Sequence, residues 1–297
     1  MTLLTIFTAP KPFTDAHIAI IQRNAIQSWQ QFGDEVAVIL VGDESGIAAV
    51  AKELGVALIP DVATNQKGTP LVSSIFAQAE QASDSQLLAY VNSDILLLPV
   101  FLEVARQVLA QREKFLIVGQ RWDLDVQQPI DFKPGWDEQL RQKAIRSGQL
   151  HAPAGSDYFI FPRGLFDEIP DFAIGRAGWD NWMIYHGAHQ PWPVIDATPS
   201  LMVIHQNHDY AHLPGGQPHY KLDETFENAD LGGGMANMYM VLDTDMEFRA
   251  GRVQRPRFRP ARLVRILERA VFPKDGLQRG PRWGLTRKLR RLRRRLV

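Results

Sequence analysis

The chain has 297 residues, 45% of them hydrophobic, enough for one large domain or two modest ones around a sizeable core. It has no cysteine, which excludes disulfides and thiolate metal sites and fits a reducing compartment. Its formal net charge of zero conceals a split, because residues 249–297 carry 18 Lys and Arg against two acids, leaving 15 basic and 31 acidic residues to positions 1–248.

That asymmetry predicts an acidic globular domain over 1–248 and a basic appendage over 249–297 suited to anionic surfaces. The N-terminus, Met1-Thr2-Leu3-Leu4-Thr5-Ile6-Phe7, has no basic region and no small-residue cleavage site. It reads as a first strand over 3–8 rather than a signal peptide. No apolar stretch reaches about 18 residues, so no spanning helix is expected. Apolar residues at helical spacing (Ile18, Ile21, Ala25, Trp29, Phe32) predict a helix over 15–32. A second strand follows over 35–41, a short helix over 46–54 and a third strand over 56–59. A helix over 69–82 then carries Pro70 in its first turn, where proline is tolerated. Strands over 87–91 and 114–120 flank a helix over 98–112. Such alternation implies an α/β fold, a mostly parallel sheet with helices on both faces.

The second half is less regular. Residues 121–150 are polar with few periodic signals. Short strands are expected over 158–161, 193–195 and 201–205, with helices over 165–169 and 178–186. Residues 206–235, rich in His, Gly and Pro, read as loop. In the appendage, amphipathic helices are expected over 261–272 and 283–297.

In open α/β sheets, ligands bind beyond the carboxyl ends of the strands. Those ends are Thr8-Ala9-Pro10-Lys11, Gly42-Asp43-Glu44, 61–68 and Asn92-Ser93-Asp94. The last interrupts the apolar run of residues 87–98. A carboxylate between two buried runs costs several kcal/mol unless paired, so Asp94 is expected to have a partner, such as a metal ion carrying a phosphate. Seven of the eight histidines lie between 151 and 219, and His205 and His208, spaced i, i+3, follow an apolar strand with Asp209 next. Divalent metals accept such ligands; a zinc site within this cluster or an ordinary hydrogen-bonded loop are the other readings. In Asn65-Gln66-Lys67-Gly68-Thr69, a helix start favours an anion and Lys67 is placed to neutralise phosphate.

Asn92-Ser93-Asp94 resembles the acidic metal-binding motif, Asp-x-Asp, of GT-A (Rossmann-like) nucleotide-sugar glycosyltransferases, with Asn at the first position. The resemblance covers roughly residues 1–245 and implies a metal-dependent transferase using a UDP- or GDP-sugar. It implies that Asp94 binds Mn2+ or Mg2+ holding the diphosphate, completed by His205 as first choice and His208 as second. Asn92 becomes a neutral oxygen ligand or a ribose contact, and Asp43 or Glu44 reads the base. Thr8, Ala9, Pro10, Asn65, Lys67 and Ser93 complete the expected nucleotide site. Gly175-Arg176-Ala177-Gly178-Trp179-Asp180-Asn181-Trp182 resembles the acceptor motif of inverting members. Asp180 there is the implied general base, with Trp179 and Trp182 stacking on sugar faces; an N-cap Asp beside two core tryptophans is the bland alternative. Gly155, Ser156 and Asp157 resemble the donor-sugar loop.

The appendage lies outside the resemblance. Alternating Arg and Leu suit anionic lipid headgroups, which implies a glycan or lipid-linked acceptor and a cytoplasmic protein peripheral at the inner face of the membrane. Nucleic acid is disfavoured, since only Phe258, Phe272 and Trp283 could stack. A nucleotidyltransferase is the second enzyme reading, weakened by the absence of glycine in residues 8–12. A non-catalytic membrane scaffold is the third.

Overall fold

The computed structural model describes residues 2–208, 222–273 and 278–297. The strands are β1 (Leu4–Thr8), β2 (Val36–Val41), β3 (Ala57–Ile59), β4 (Leu87–Val91), β5 (Ile95–Leu97), β6 (Leu116–Val118), β7 (Trp122–Leu124), β8 (Gln149–Leu150), β9 (Tyr158–Pro162), β10 (Val194–Asp196), β11 (Val203–Gln206), β12 (Met246–Arg249) and β13 (Arg252–Gln254). The helices are α1 (Ala16–Gln30), α2 (Ile47–Leu54), α3 (Val72–Ala82), α4 (Val100–Leu109), α5 (Trp136–Ser147), α6 (Trp179–Gly187), α7 (Asp223–Leu231), α8 (Pro260–Val271) and α9 (Gly280–Arg294).

Nine strands form the central sheet in the order β13-β12-β10-β6-β9-β4-β1-β2-β3. Its pairs are parallel except those of β9 with β4 and β6, and of β13 with β12. The fold is thus α/β with a mostly parallel sheet, as expected. The strand period of two sorts side chains onto two buried faces. Leu87, Ala89 and Val91 meet α1, α2 and α4, whereas Leu88 and Tyr90 meet α3 and α6. Asp15 caps α1 by accepting from Ile18 N at 2.8 Å.

A second sheet, β5-β11-β7-β8, stands beside the first. β11 runs antiparallel to β5 and parallel to β7, with His205 opposite Ile95 on one side and Asp123 on the other. β5 begins immediately after Asp94, so this pairing brings the histidine segment to the acidic turn across more than a hundred residues.

Several expectations need correction. Residues 121–150 contain β7, α5 and β8; only Trp136, Leu140 and Ala144 of α5 are buried, a stripe too thin to stand out. Residues 165–169 form an irregular loop, because Pro170 biases the preceding residue away from helical geometry. The third helix starts at Val72, not at 69: Leu71 N donates to Ala63 O and Ile174 N to Pro70 O, which keep that stretch extended. Part of the expected loop 206–235 is α7. Asp209 lies outside the described residues.

The basic appendage is helical in α8 and α9, but α8 faces opposite to its apolar pattern. Its buried residues are Ala261, Val264, Arg265 and Glu268, while Leu263, Ile266 and Leu267 are exposed. The inward face is held by charge. Asp243 receives Arg265 Nε at 2.9 Å and Arg269 Nη1 at 3.3 Å; Glu268 receives Arg290 Nε at 2.9 Å and Arg293 Nε at 2.8 Å. Among the described residues no helix is long and apolar enough to cross a membrane.

Candidate active site

The carboxyl ends of β1, β2 and β4 share one edge because these strands are parallel. β9 runs against β4 with Tyr158 opposite Val91, which sets residues 155–157 beside 92–94. Asn92 N donates to Asp157 O at 2.9 Å, and Ile95 N turns back to Asn92 O at 3.0 Å, aiming Asp94 across the edge.

Asp94 is buried. Its Oδ2 accepts from Lys11 Nζ at 3.0 Å and lies 3.2 Å from His208 Nε2; Lys11 Nζ is also 2.9 Å from His208 Nε2. Burial alone would raise this carboxyl, but Lys11, His208 and His205 outweigh it and hold Asp94 well below the usual carboxylate range. One ligand atom each from Asp94, His205 and His208 lie within 4.8 Å of one another. Asp94 Oδ1 is buried without a hydrogen-bond partner. His205 Nδ1 lies 3.1 Å from Asp123 Oδ1 but is not aligned for a hydrogen bond. An N2O donor set with an unsatisfied carboxylate oxygen fits a divalent transition metal, and the Lys11 ammonium already answers the site's demand for a cation.

A polar network extends outward. Asp157 Oδ1 accepts from Asn92 Nδ2 at 2.8 Å and from Arg121 Nη1 at 2.6 Å. Arg121 Nε donates to Asp123 Oδ1 at 2.9 Å, and Asp123 Oδ2 is 2.7 Å from His151 Nδ1. Burial opposes the Asp123 charge, yet His151, His205 and Arg121 hold its carboxyl far below the usual range. Arg121, Asp123 and His151 were not among the expected site residues, and Lys11 was expected only as part of the loop after the first strand. A Lys at the end of the first strand is a readable signal; the other three sit in the stretch that gave little pattern.

Asp180 occupies the first turn of α6, whose N-cap Gly178 has φ +110°, a region that favours glycine. The carboxylate packs directly on Gly155, where a Cβ would stand 1.9 Å from Asp180 Oδ2. It is surrounded by protein yet keeps a solvent-accessible face. Burial, and then the Asp157 charge, push it up to about 6. Burial and the charges of Asp94, Asp157 and Asp180 also raise the Tyr90 phenol, so the three carboxylates share one locality.

Other expected residues are placed differently. Asn92 is held by Asp157 and by Tyr90, whose hydroxyl donates to Asn92 Oδ1 at 3.1 Å. Ser93 Oγ donates to Gln22 Oε1 at 2.7 Å, and Gln22 pins Lys11 through N and O, so Ser93 steadies the loop after β1. In that loop Thr8 and Pro10 are buried, Ala9 is half-buried, and Thr8 Oγ1 has no hydrogen-bond partner. Asp43 is exposed after β2. Ser156 Oγ bonds the backbone of Gly119 and Tyr158 beneath the edge. Lys67 and Asn65 face α7: Lys67 pairs with Glu227 at 3.2 Å, and Asn65 Nδ2 donates to Glu224 Oε1 at 2.7 Å. Trp179 and Trp182, expected to stack on sugars, are core residues. Trp179 packs edge-on against Tyr90 at 5.0 Å, and Trp182 packs on Phe172 and His186.

No family model and no curated protein matches the chain. Among solved structures, a mannosyltransferase from Pyrobaculum calidifontis in complex with GDP-Man and Mn2+ is similar at TM-score 0.45 and 14% identity, over 70% of this chain and 58% of that one. This chain therefore spans less than two thirds of that relative's length. Glucosyl-3-phosphoglycerate synthase from Mycobacterium tuberculosis, with Mn2+, UDP and phosphoglyceric acid, is similar at TM-score 0.44 and 14% identity, over 70% and 71% of the two chains.

Proposed function

We propose that the protein is a metal-dependent glycosyltransferase of the GT-A type, moving a sugar from a UDP- or GDP-sugar to an acceptor hydroxyl with inversion. The observation that carries this reading is the convergence of Asp94, His205 and His208 at the carboxyl edge of a parallel sheet. Asp94, His205 and His208 would hold Mn2+ or Mg2+, which supplies electrostatic stabilisation of the departing diphosphate when bound. Lys11 Nζ, which lies against Asp94 Oδ2 and His208 Nε2, would yield those atoms to the metal and add its charge toward the diphosphate instead. Asp157, held by Asn92 and Arg121, presents its remaining oxygen toward sugar hydroxyls. Asp180 accepts the acceptor hydroxyl's proton as that oxygen bonds to the anomeric carbon and the carbon–diphosphate bond breaks. A carboxylate near pKa 6 is ionised at neutral pH and basic enough for this step.

The acceptor is proposed to be a glycan or lipid-linked, and the protein to be peripheral at the inner membrane face. Support comes from the exposed Leu263, Ile266 and Leu267 on α8, the exposed Arg287, Lys288 and Arg291 of α9, and Arg295 just past its end.

Calorimetric titration with UDP and GDP, with and without Mn2+, tests the donor and metal assignments together. Tighter binding of one nucleotide with Mn2+ is expected, weakened about 10-fold to 100-fold or more in Asp94→Asn. Absence of nucleotide binding under every condition overturns the reading. A donor screen by nucleotide release then identifies the sugar.

A further inference from the structure

Next to Asp180 lies a cavity of about 620 Å³ whose wall includes Ala154 and Asn181. Ala154 precedes the glycine on which Asp180 packs, and Asn181 follows Asp180 in α6. Asn181 Nδ2 donates to Tyr239 O at 2.6 Å and so fixes this end of the cavity to the segment that precedes β12. The opposite wall is built by α8 and α9 and carries Arg265, Arg269, Arg290, Arg293 and Arg294.

Charge in this wall is not balanced internally. Its carboxylate partners are Asp243 and Glu268, two acids against five guanidiniums. Arg294 is exposed and makes no ion pair among the described residues. Arg265 and Arg293 are buried and therefore preorganised. Arg269 lies over the Tyr239 ring, its guanidinium carbon 3.7 Å from the centroid, and also hydrogen-bonds the Tyr239 hydroxyl. Burial lowers its basicity, the direction expected where a cation lacks full compensation. Guanidinium forks match phosphoryl oxygens in pairs, and partly desolvated ones bind them best.

We propose that this cavity is an acceptor subsite for a phosphoryl group, so that the acceptor is a phosphorylated or diphosphate-linked sugar. The proposal deepens the transferase reading and rests on it for the role of Asp180. The cavity wall contains none of Asp94, His205, His208 and Lys11, so an anion seated here is not held by the residues proposed for the donor diphosphate. The cavity wall also contains Ile266, which is 55% exposed, with Leu263 and Leu267 on the same helix. A phosphoryl group continued by an acyl or prenyl chain would thus meet apolar surface at the rim, whereas a soluble sugar phosphate would use only the arginines.

The test uses the full chain. Pyrophosphate is titrated by calorimetry in metal-free buffer into wild type, Arg294→Gln, Arg269→Gln and Lys11→Ala. Affinity is expected to fall at least about tenfold in the Arg variants, whereas Lys11→Ala, which alters the donor side, reports any pyrophosphate bound there instead. Unchanged affinity in both Arg variants, or loss in Lys11→Ala alone, overturns the subsite. Arg294→Gln touches no ion pair, so its effect is not one of folding; the thermal transition of each variant checks this. Turnover is then compared with a neutral sugar, a soluble sugar 1-phosphate and a lipid-diphosphate sugar in micelles. Preference for the sugar 1-phosphate assigns a soluble acceptor, and preference for the lipid form a membrane one; equal kcat/KM for neutral and phosphorylated acceptors overturns the proposal. Arg-dependent pyrophosphate binding without turnover on any acceptor would overturn the transferase reading and leave the anion site standing.

Discussion

Asp180, the proposed base, carries a charge that is costly to the fold at neutral pH. Its carboxyl is pushed up to about 6 by burial and by Asp157. The folded state thus holds the proton more tightly than the unfolded chain. The associated stability is fully present below the ordinary value of 3.8 and is lost as pH rises through about 6. Asp180→Asn should therefore melt above wild type at pH 7.5 and lose that advantage near pH 4, as thermal unfolding across pH would show. If Asp180 is the base, as proposed, the same proton governs rate: kcat/KM should fall below about pH 6 in wild type. In Asp180→Asn turnover should be about 100-fold to 10,000-fold lower, with no such limb and with nucleotide binding retained. Unchanged turnover removes the base assignment. Gly155→Ala probes the same carboxylate from outside, since its Cβ would meet Asp180 Oδ2 at 1.9 Å. The carboxylate must shift, so kcat should drop at least about tenfold, while Mn2+ affinity, proposed to rest on Asp94, His205 and His208, should stay as in wild type.

At the scale of elements, α7 holds two loops in place from one side. Glu224 is buried and accepts from Asn65 Nδ2, Thr69 Oγ1 and Arg176 Nε at 2.7, 2.6 and 2.7 Å. Asn228 of the same helix bonds both N and O of Ala173. These contacts position the segment that enters α6 and hence Asp180. Glu224→Ala leaves Arg176 without its partner and should destabilise the fold by about 3–5 kcal/mol, read by urea unfolding. A change under 1 kcal/mol would show that α7 is not a clamp. This helix was hidden in the sequence because residues 206–235 are dense in His, Gly and Pro and its buried set is Glu224, Asn228 and Ala229, with no apolar stripe. The parallel core was legible for the opposite reason: β1, β4 and α1 carry uninterrupted or evenly spaced apolar residues, and periodicity reports burial. The convergence of Asp94 with His205 and His208 was readable as residue types after strands. Its cause, the pairing of β11 between β5 and β7, was not, because β7 and β5 are three-residue strands. Trp179 and Trp182 misled for a related reason, since large aromatic residues mark cores as readily as sugar platforms.

At the scale of the molecule, part of the appendage's charge is neutralised first, by Asp243 and Glu247 of the acidic body and by the appendage's own Glu268. Arg265, Arg269, Arg290 and Arg293 serve Asp243 and Glu268, while Arg249, Arg257 and Arg259 surround Glu247. Much of the charge that suggested a membrane anchor is therefore spent inside the protein. What remains outward at the C-terminal end includes Arg287, Lys288, Arg291 and Arg294 on α9 and Arg295 just past it, interleaved with Leu292 and Leu296, and the exposed Leu263, Ile266 and Leu267 of α8. Five cations near an anionic leaflet are worth on the order of 1 kcal/mol each, and three shallowly inserted aliphatic side chains add to this. The two contributions respond differently to conditions, because salt screens the first and leaves the second. The full chain should co-float with phosphatidylglycerol vesicles at low salt and dissociate near about 0.5 M NaCl. The double variant Ile266→Ser, Leu267→Ser should dissociate at lower salt without a change in thermal stability, since both residues are exposed. Flotation that is equal on neutral and anionic vesicles, or insensitive to both salt and the double variant, would mean that the outward arginines serve no lipid surface. The appendage would then act only as the wall that α8 and α9 build beside Asp180.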